Sequence, residues 1–174
     1  MRGPPGPRGC ESSPPVRCAA QRQDDGVDVL LAGQSPLGEL LACPSVVLLD
    51  GVAAWLVDAD DDVRLDRLAR RDGHRWSETE REAFLGWAAW HRDHARDPAA
   101  RQEVVTASGW APMRWSRWTG WTADDPRWRV RVVDTTDLTP SAVATRLARE
   151  VLAVRAATGG WPLDGPALRA LDRT

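Results

Sequence analysis

The stretch "AAWLVDADDDVRLDRLARRDG" (residues 53–73) constrains the fold more than any other part of the chain. Ala53 to Asp58 is apolar almost throughout, the pattern of a strand covered on both faces, which favours a parallel sheet. The next residues read as a helix. Asp60, Asp61 and Asp62 stand where its dipole favours anions, and Arg70 and Arg71 where it favours cations. Gly73 is placed to end it. Leu65, Leu68 and Ala69 share one face, and Arg64, Arg67 and Arg71 share another.

Other segments repeat this alternation. "VDVLLAG" (27–33) is a short apolar run ended by Gly and predicts a buried strand. "SPLGELLA" predicts a short helix. "SETEREAFLGWAAWHRDHARDP" opens on a capping box, Ser77 and Glu80, with Phe84, Trp87, Ala88 and His91 as its apolar stripe. "RWRVRVVD" (127–134) predicts a third strand. "TPSAVATRLAREVLAVRAATGG" predicts a helix capped by Thr139, with Pro140 at its first position. The alternation argues an α/β sheet with helices on its faces.

Residues 1–26 are rich in Pro, Gly and Ser and predict a disordered leader. Residues 27–158 form the expected domain, with a Trp-rich irregular cap over about 74–126, and 159–174 read as a tail.

At 174 residues the chain is long enough for one domain with a real core. Its net charge of −2 argues against a general nucleic-acid or membrane surface. No apolar run reaches the ~18 residues that a membrane span needs. Three cysteines without a framework spacing suit a cytoplasmic protein. Every basic side chain other than histidine is Arg, so no chemistry here uses a Lys amine.

"AAWLVDADDDVRLDRLARRDG" resembles the strand, turn and Arg-bearing helix that precede the lid of small P-loop kinases. "VRVVDTTDLTPSAVATRLAREVL" resembles their closing strand, base-side loop and final helix. "DVLLAGQSPLGELL" resembles the strand carrying their Walker B position, with Gln34 where an acidic residue is usual. "GWAPMRWSRWTGWTADDPRW" is similar to the insert of bacterial P-loop kinase-like proteins labelled AAA-family ATPases. The resemblance implies a partial P-loop NTPase-like, nucleotide-kinase-like fold and ATP-dependent phosphoryl transfer to a small acceptor, or nucleotide hydrolysis. It implies ATP and Mg²⁺ as cofactors of the intact family. It places Arg64, Arg67 and Arg71 against the phosphates as catalytic residues, and Gln34, Asp134, Thr135 and Thr136 at the nucleotide. The partner it implies is a small acceptor or a nucleotide.

The departure from the family is a missing phosphate loop. Nothing in the chain fits G-x-x-x-x-G-K-[ST], and "GPPGPRGCESS" (3–13) is a faint echo without Lys. The expectation is a chain whose beginning is absent or whose ancestor lost it, inactive by itself and free to self-associate through open strand edges.

Several features carry two readings. Asp50, ending "VVLLD", mimics a Mg²⁺ carboxylate, but two residues before the next strand suit an ordinary turn. His91 and His94 share a helix without a third matching ligand, so no metal site is assigned. Trp110, Trp115, Trp118 and Trp121 read first as packing anchors. The alternative is a non-catalytic binding module in which Arg114, Trp115, Arg117 and Trp118 clamp a small ligand or a protein.

Overall fold

The computed structural model describes residues 15–73, 75–107, 111–157 and 161–173. The first fourteen residues of the expected leader, and Trp110, lie outside these. The helices are α1 (Pro15–Asp24), α2 (Leu37–Ala42), α3 (Asp61–Asp72), α4 (Glu78–Arg96), α5 (Glu103–Thr106), α6 (Pro140–Ala156) and α7 (Gly165–Ala170). The strands are β1 (Gly51–Val52), β2 (Ala54–Asp58), β3 (Val130–Asp134) and β4 (Leu163–Asp164). This is a mixed α/β fold with two small sheets.

β2 and β3 pair in parallel, with Ala54 opposite Val130 and Asp58 opposite Asp134. The Trp55 indole donates to the Glu150 carboxylate on α6, and Arg92 on α4 pairs with Asp58. Side chains alternate along a strand, so α6 covers the face carrying Trp55 and α4 the face carrying Asp58. The pair is thus sandwiched between helices, the arrangement that a parallel connection demands.

The helix boundaries follow local chemistry. Gly73 ends α3 at φ +70°, a left-handed conformation that glycine adopts without penalty. Ser77 and Glu80 close a reciprocal capping box at the start of α4. Thr139 accepts from the Ala142 N–H, with Pro140 at the first turn of α6.

Three expectations need correction. Residues 27–32 form no strand. They carry no regular secondary structure, and Val27, Val29, Leu30 and Leu31 are all exposed. Asp28 breaks their apolar run and pairs with Arg155 of α6 at 2.8 Å, and β2 takes β3 as its ladder partner instead. The leader is helical over Pro15–Asp24. Val16, Ala19 and Ala20 stand three and four residues apart and form a narrow apolar stripe that enters the core. The tail is also built in. Leu163, Leu168 and Leu171 are buried, and Asp164 caps α7 through the Ala167 N–H. Its strand β4 pairs antiparallel with β1, Gly51 opposite Asp164.

The tryptophans are part of this core and not a cap over it. Trp118 is fully buried, Trp121 and Trp128 nearly so, and Trp115 partly. They meet Leu41, Val46, Leu49 and the C-terminal leucines in one cluster. Gly38 of α2 makes the fit possible, because a Cβ there would lie 2.7 Å from the Trp118 ring. "VVLLD" is no strand either: Pro44–Leu48 is a 3-10 turn, and Asp50 is exposed. Cys43 is a buried free thiol, and Cys18 is disulfide-bonded. No described helix is long and apolar enough to cross a membrane.

Candidate functional site at the carboxyl end of the parallel pair

Both parallel strands end in aspartate, Asp58 on β2 and Asp134 on β3, side by side in register. In open α/β sheets ligands settle beyond the carboxyl ends of parallel strands, so this end is where a site is sought. Thr135 follows Asp134 and is buried. Its N–H and hydroxyl both donate to the Asp58 carbonyl, at 2.8 and 2.7 Å. Thr136 accepts from the Asp60 N–H at 3.0 Å, which ties the β3 loop to the start of α3. The Asp134 carboxylate accepts from the Thr136 N–H at 2.9 Å and its hydroxyl at 2.7 Å. These two bonds hold its pKa below the ordinary carboxylate range.

Three guanidinium groups enter this end. Arg64 pairs with Asp58 in close contact, and its buried Nε has no hydrogen-bond partner. Arg92 reaches across from α4, pairing closely with Asp61 and lying 3.8 Å from Asp58. Its pKa is raised, first by the bond to Asp61. Arg67 is different in kind. Its Nη1 donates to the Thr135 hydroxyl at 3.0 Å. Its Nη2 donates to the carbonyls of Thr135 at 2.6 Å, Thr136 at 3.2 Å and Leu138 at 3.3 Å. All four acceptors are neutral, and among the described residues no carboxylate pairs with Arg67. The residue is exposed, and among the described residues its bonds run through Nη1 and Nη2 and not through Nε.

The geometry therefore gathers Arg64, Arg67, Asp134, Thr135 and Thr136. It leaves two expected members outside. Arg71 is exposed and forms a bidentate pair with its neighbour Asp72. Gln34 is exposed in the bend after residues 27–32 and takes part in none of these bonds. Asp58, Asp61 and Arg92 were not read as site residues from the sequence. A carboxylate closing an apolar strand was the available signal for Asp58; nothing local marks Arg92, which arrives on another helix.

The Arg/Trp group in the "MRWSRW" stretch is engaged internally. Arg117 is buried and donates to the carbonyls of Leu41 at 3.0 Å and Cys43 at 2.7 Å. It also bonds Asp172 through Nε at 2.9 Å and Nη2 at 2.7 Å. Those bonds hold the Asp172 carboxyl below its usual range. Arg114 joins the same carboxylate at 3.2 Å. Trp118 has no exposed surface, so this pair offers a ligand no face. Arg127 lies over the Trp121 ring at 4.0 Å, a close cation–π contact.

Further along α4, His94 is almost fully buried. It stacks on Trp90, with ring centroids 4.8 Å apart, and meets Trp118 and Trp128 edge-on. Neither of its ring nitrogens has a well-formed hydrogen bond. Burial pushes its pKa down. Among the described residues no three His, Cys, Asp or Glu side chains cluster as metal ligands.

No family model, curated protein or solved structure matches the chain. In structural terms this is an α/β protein whose parallel pair ends beside an arginine- and threonine-lined cluster.

Proposed function

We propose that the chain is part of a kinase-like or ATPase-like protein of the P-loop type, and that its arginine end holds the phosphate of a small phosphorylated ligand. The observation that carries this reading is Arg67, a guanidinium held by neutral oxygens at the carboxyl end of parallel strands. A pre-positioned fork with no carboxylate partner among the described residues suits a phosphate oxygen. The resemblance of residues 53–73 and 130–152 to the corresponding parts of small kinases points the same way. A cytoplasmic setting goes with it. The Cys18 disulfide argues the other way, and thiol alkylation in intact cells would decide.

ATP and Mg²⁺ fit the residues poorly. No segment offers G-x-x-x-x-G-K-[ST], the chain has no Lys, and Asp50 sits in an exposed turn. We derive no catalytic step through them. The part played by this chain is to orient and neutralise phosphate.

Calorimetry tests the poor fit to ATP and the phosphate role of Arg67. The chain should bind Mg·ATP no more tightly than about 1 mM, near −4 kcal/mol. A simple phosphate ester should bind in the same range and lose that binding in Arg67→Gln but not in Arg71→Gln. Micromolar Mg·ATP affinity would overturn the poor fit. Equal loss in both variants would overturn the role of Arg67.

A further inference from the structure

β3 has β2 on one side and, among the described residues, no strand on the other. A groove of about 490 Å³ runs along that outer edge. It is lined by four successive residues of the strand region, Arg129, Val130, Arg131 and Val132, and by Arg96 from the end of α4. An open edge presents unpaired N–H and C=O groups at every second residue.

The charged residues that line this groove are all arginine, and the exposed Asp134 closes the strand beyond it. Arg129 donates through Nε to the Pro126 carbonyl at 3.0 Å, and Arg131 lies over the Trp55 ring at 6.0 Å. Neither has a carboxylate partner among the described residues, and both are exposed. Arg96 pairs with Asp93 at 3.6 Å. In a chain of net charge −2, this is a local basic rim. Alternation sorts the edge further. Arg129 and Arg131 lie on the face of the sheet carrying Trp55. Val130 and Val132 lie on the face covered by α4, where Val132 is nonetheless exposed.

We propose that the outer edge of β3 binds an extended acidic peptide segment of a partner protein by strand addition. The peptide continues the sheet through its backbone. Its acidic side chains, two residues apart, meet Arg129 and Arg131. The intervening apolar side chains cover Val130 and Val132, with Arg96 at the rim. Charge complementarity selects this occupant: a basic or neutral strand would leave the guanidinium groups of Arg129 and Arg131 without a carboxylate.

The probe is a capped peptide alternating glutamate and valine, about the five-residue length of β3, titrated into the whole chain at low salt. Binding should weaken about tenfold or more in Arg129→Glu plus Arg131→Glu, with the melting transition of that variant unchanged. It should be lost when every second peptide nitrogen is methylated, because the ladder donors are gone while the charges remain. Chemical shifts should move at residues 129–132. If the variant melts early, the single Arg131→Ala chain carries the comparison. Undiminished binding of the methylated peptide would overturn strand addition in favour of loose charge attraction. Tighter, arginine-dependent binding of a single-stranded oligonucleotide would overturn the peptide as occupant. So would dimerisation of the chain alone that Arg131→Glu abolishes.

Discussion

Removing the Trp118 indole would open a void where α2, α4 and the Trp115–Arg117 turn meet. The residue has no exposed surface, and Gly38 has been kept bare for it. Trp118→Ala should cost about 3–5 kcal/mol in urea unfolding, a large part of the ~5–15 kcal/mol typical of a domain. Trp118→Phe should cost less, since it also removes an Nε1–H that has no partner. An unchanged unfolding midpoint in the alanine variant would refute the packing role. His94 makes a second prediction at this scale. Burial lowers its folded pKa; the Ala100 backbone opposes this in part, and His91 adds a smaller lowering against a still smaller rise from Asp97. The unfolded chain therefore takes up a proton more readily than the folded one. The stability that neutral His94 contributes is complete above the unfolded value of ~6.5 and falls as pH drops through and below it. The half-buried His91 is lowered as well and adds a slope of the same sign. Unfolding free energy should decline between about pH 7.5 and about pH 5.5. His94→Phe should flatten the decline without abolishing it.

At the scale of elements, the caps explain most of what could be read in advance. Ser77 and Glu80 hold each other's orphan donors at the start of α4, so Ser77→Ala should lower the unfolding free energy by about 1 kcal/mol. Thermal melts of the two chains measure it; equal midpoints would mean that the box adds nothing. α3, α4 and α6 were legible because each carries its own start and stop signals. β2 and β3 were legible because their apolar runs are bounded by charge. α1 was not, because its Pro- and Ser-rich neighbourhood outweighed a stripe of three small residues. Residues 27–32 have the composition of a strand, but a strand is a pair, and composition does not say whether a neighbour exists. The site was legible in the same uneven way. Arg64 and Arg67 share a visible helix face. Asp61 and Arg92 meet only because α3 and α4 fold together across thirty-one residues of chain. No local pattern encodes that meeting.

Taken whole, the molecule leaves an apolar strip in water. Leu30 is 76% exposed and Leu31 50%, beside Val27 and Val29. Contiguous apolar surface of this kind drives association, so the purified chain should grow heavier with concentration in sedimentation experiments. Leu30→Glu with Leu31→Glu should suppress that growth and leave the melting temperature within a degree or so, as exposed positions do. Persistence of the association in the double variant would move its cause to the open sheet edges. The pairing of β1 with β4 bears on a different matter, the order of events during synthesis. Gly51 waits for Asp164, and the apolar cluster around Val46 and Leu49 waits for Leu168 and Leu171. Closing so long a loop is slow and must precede the contacts that reward it. A nascent chain emerging from the ribosome therefore carries its indoles half-covered until Leu168 and Leu171 have been made. For that interval it is a client for chaperones.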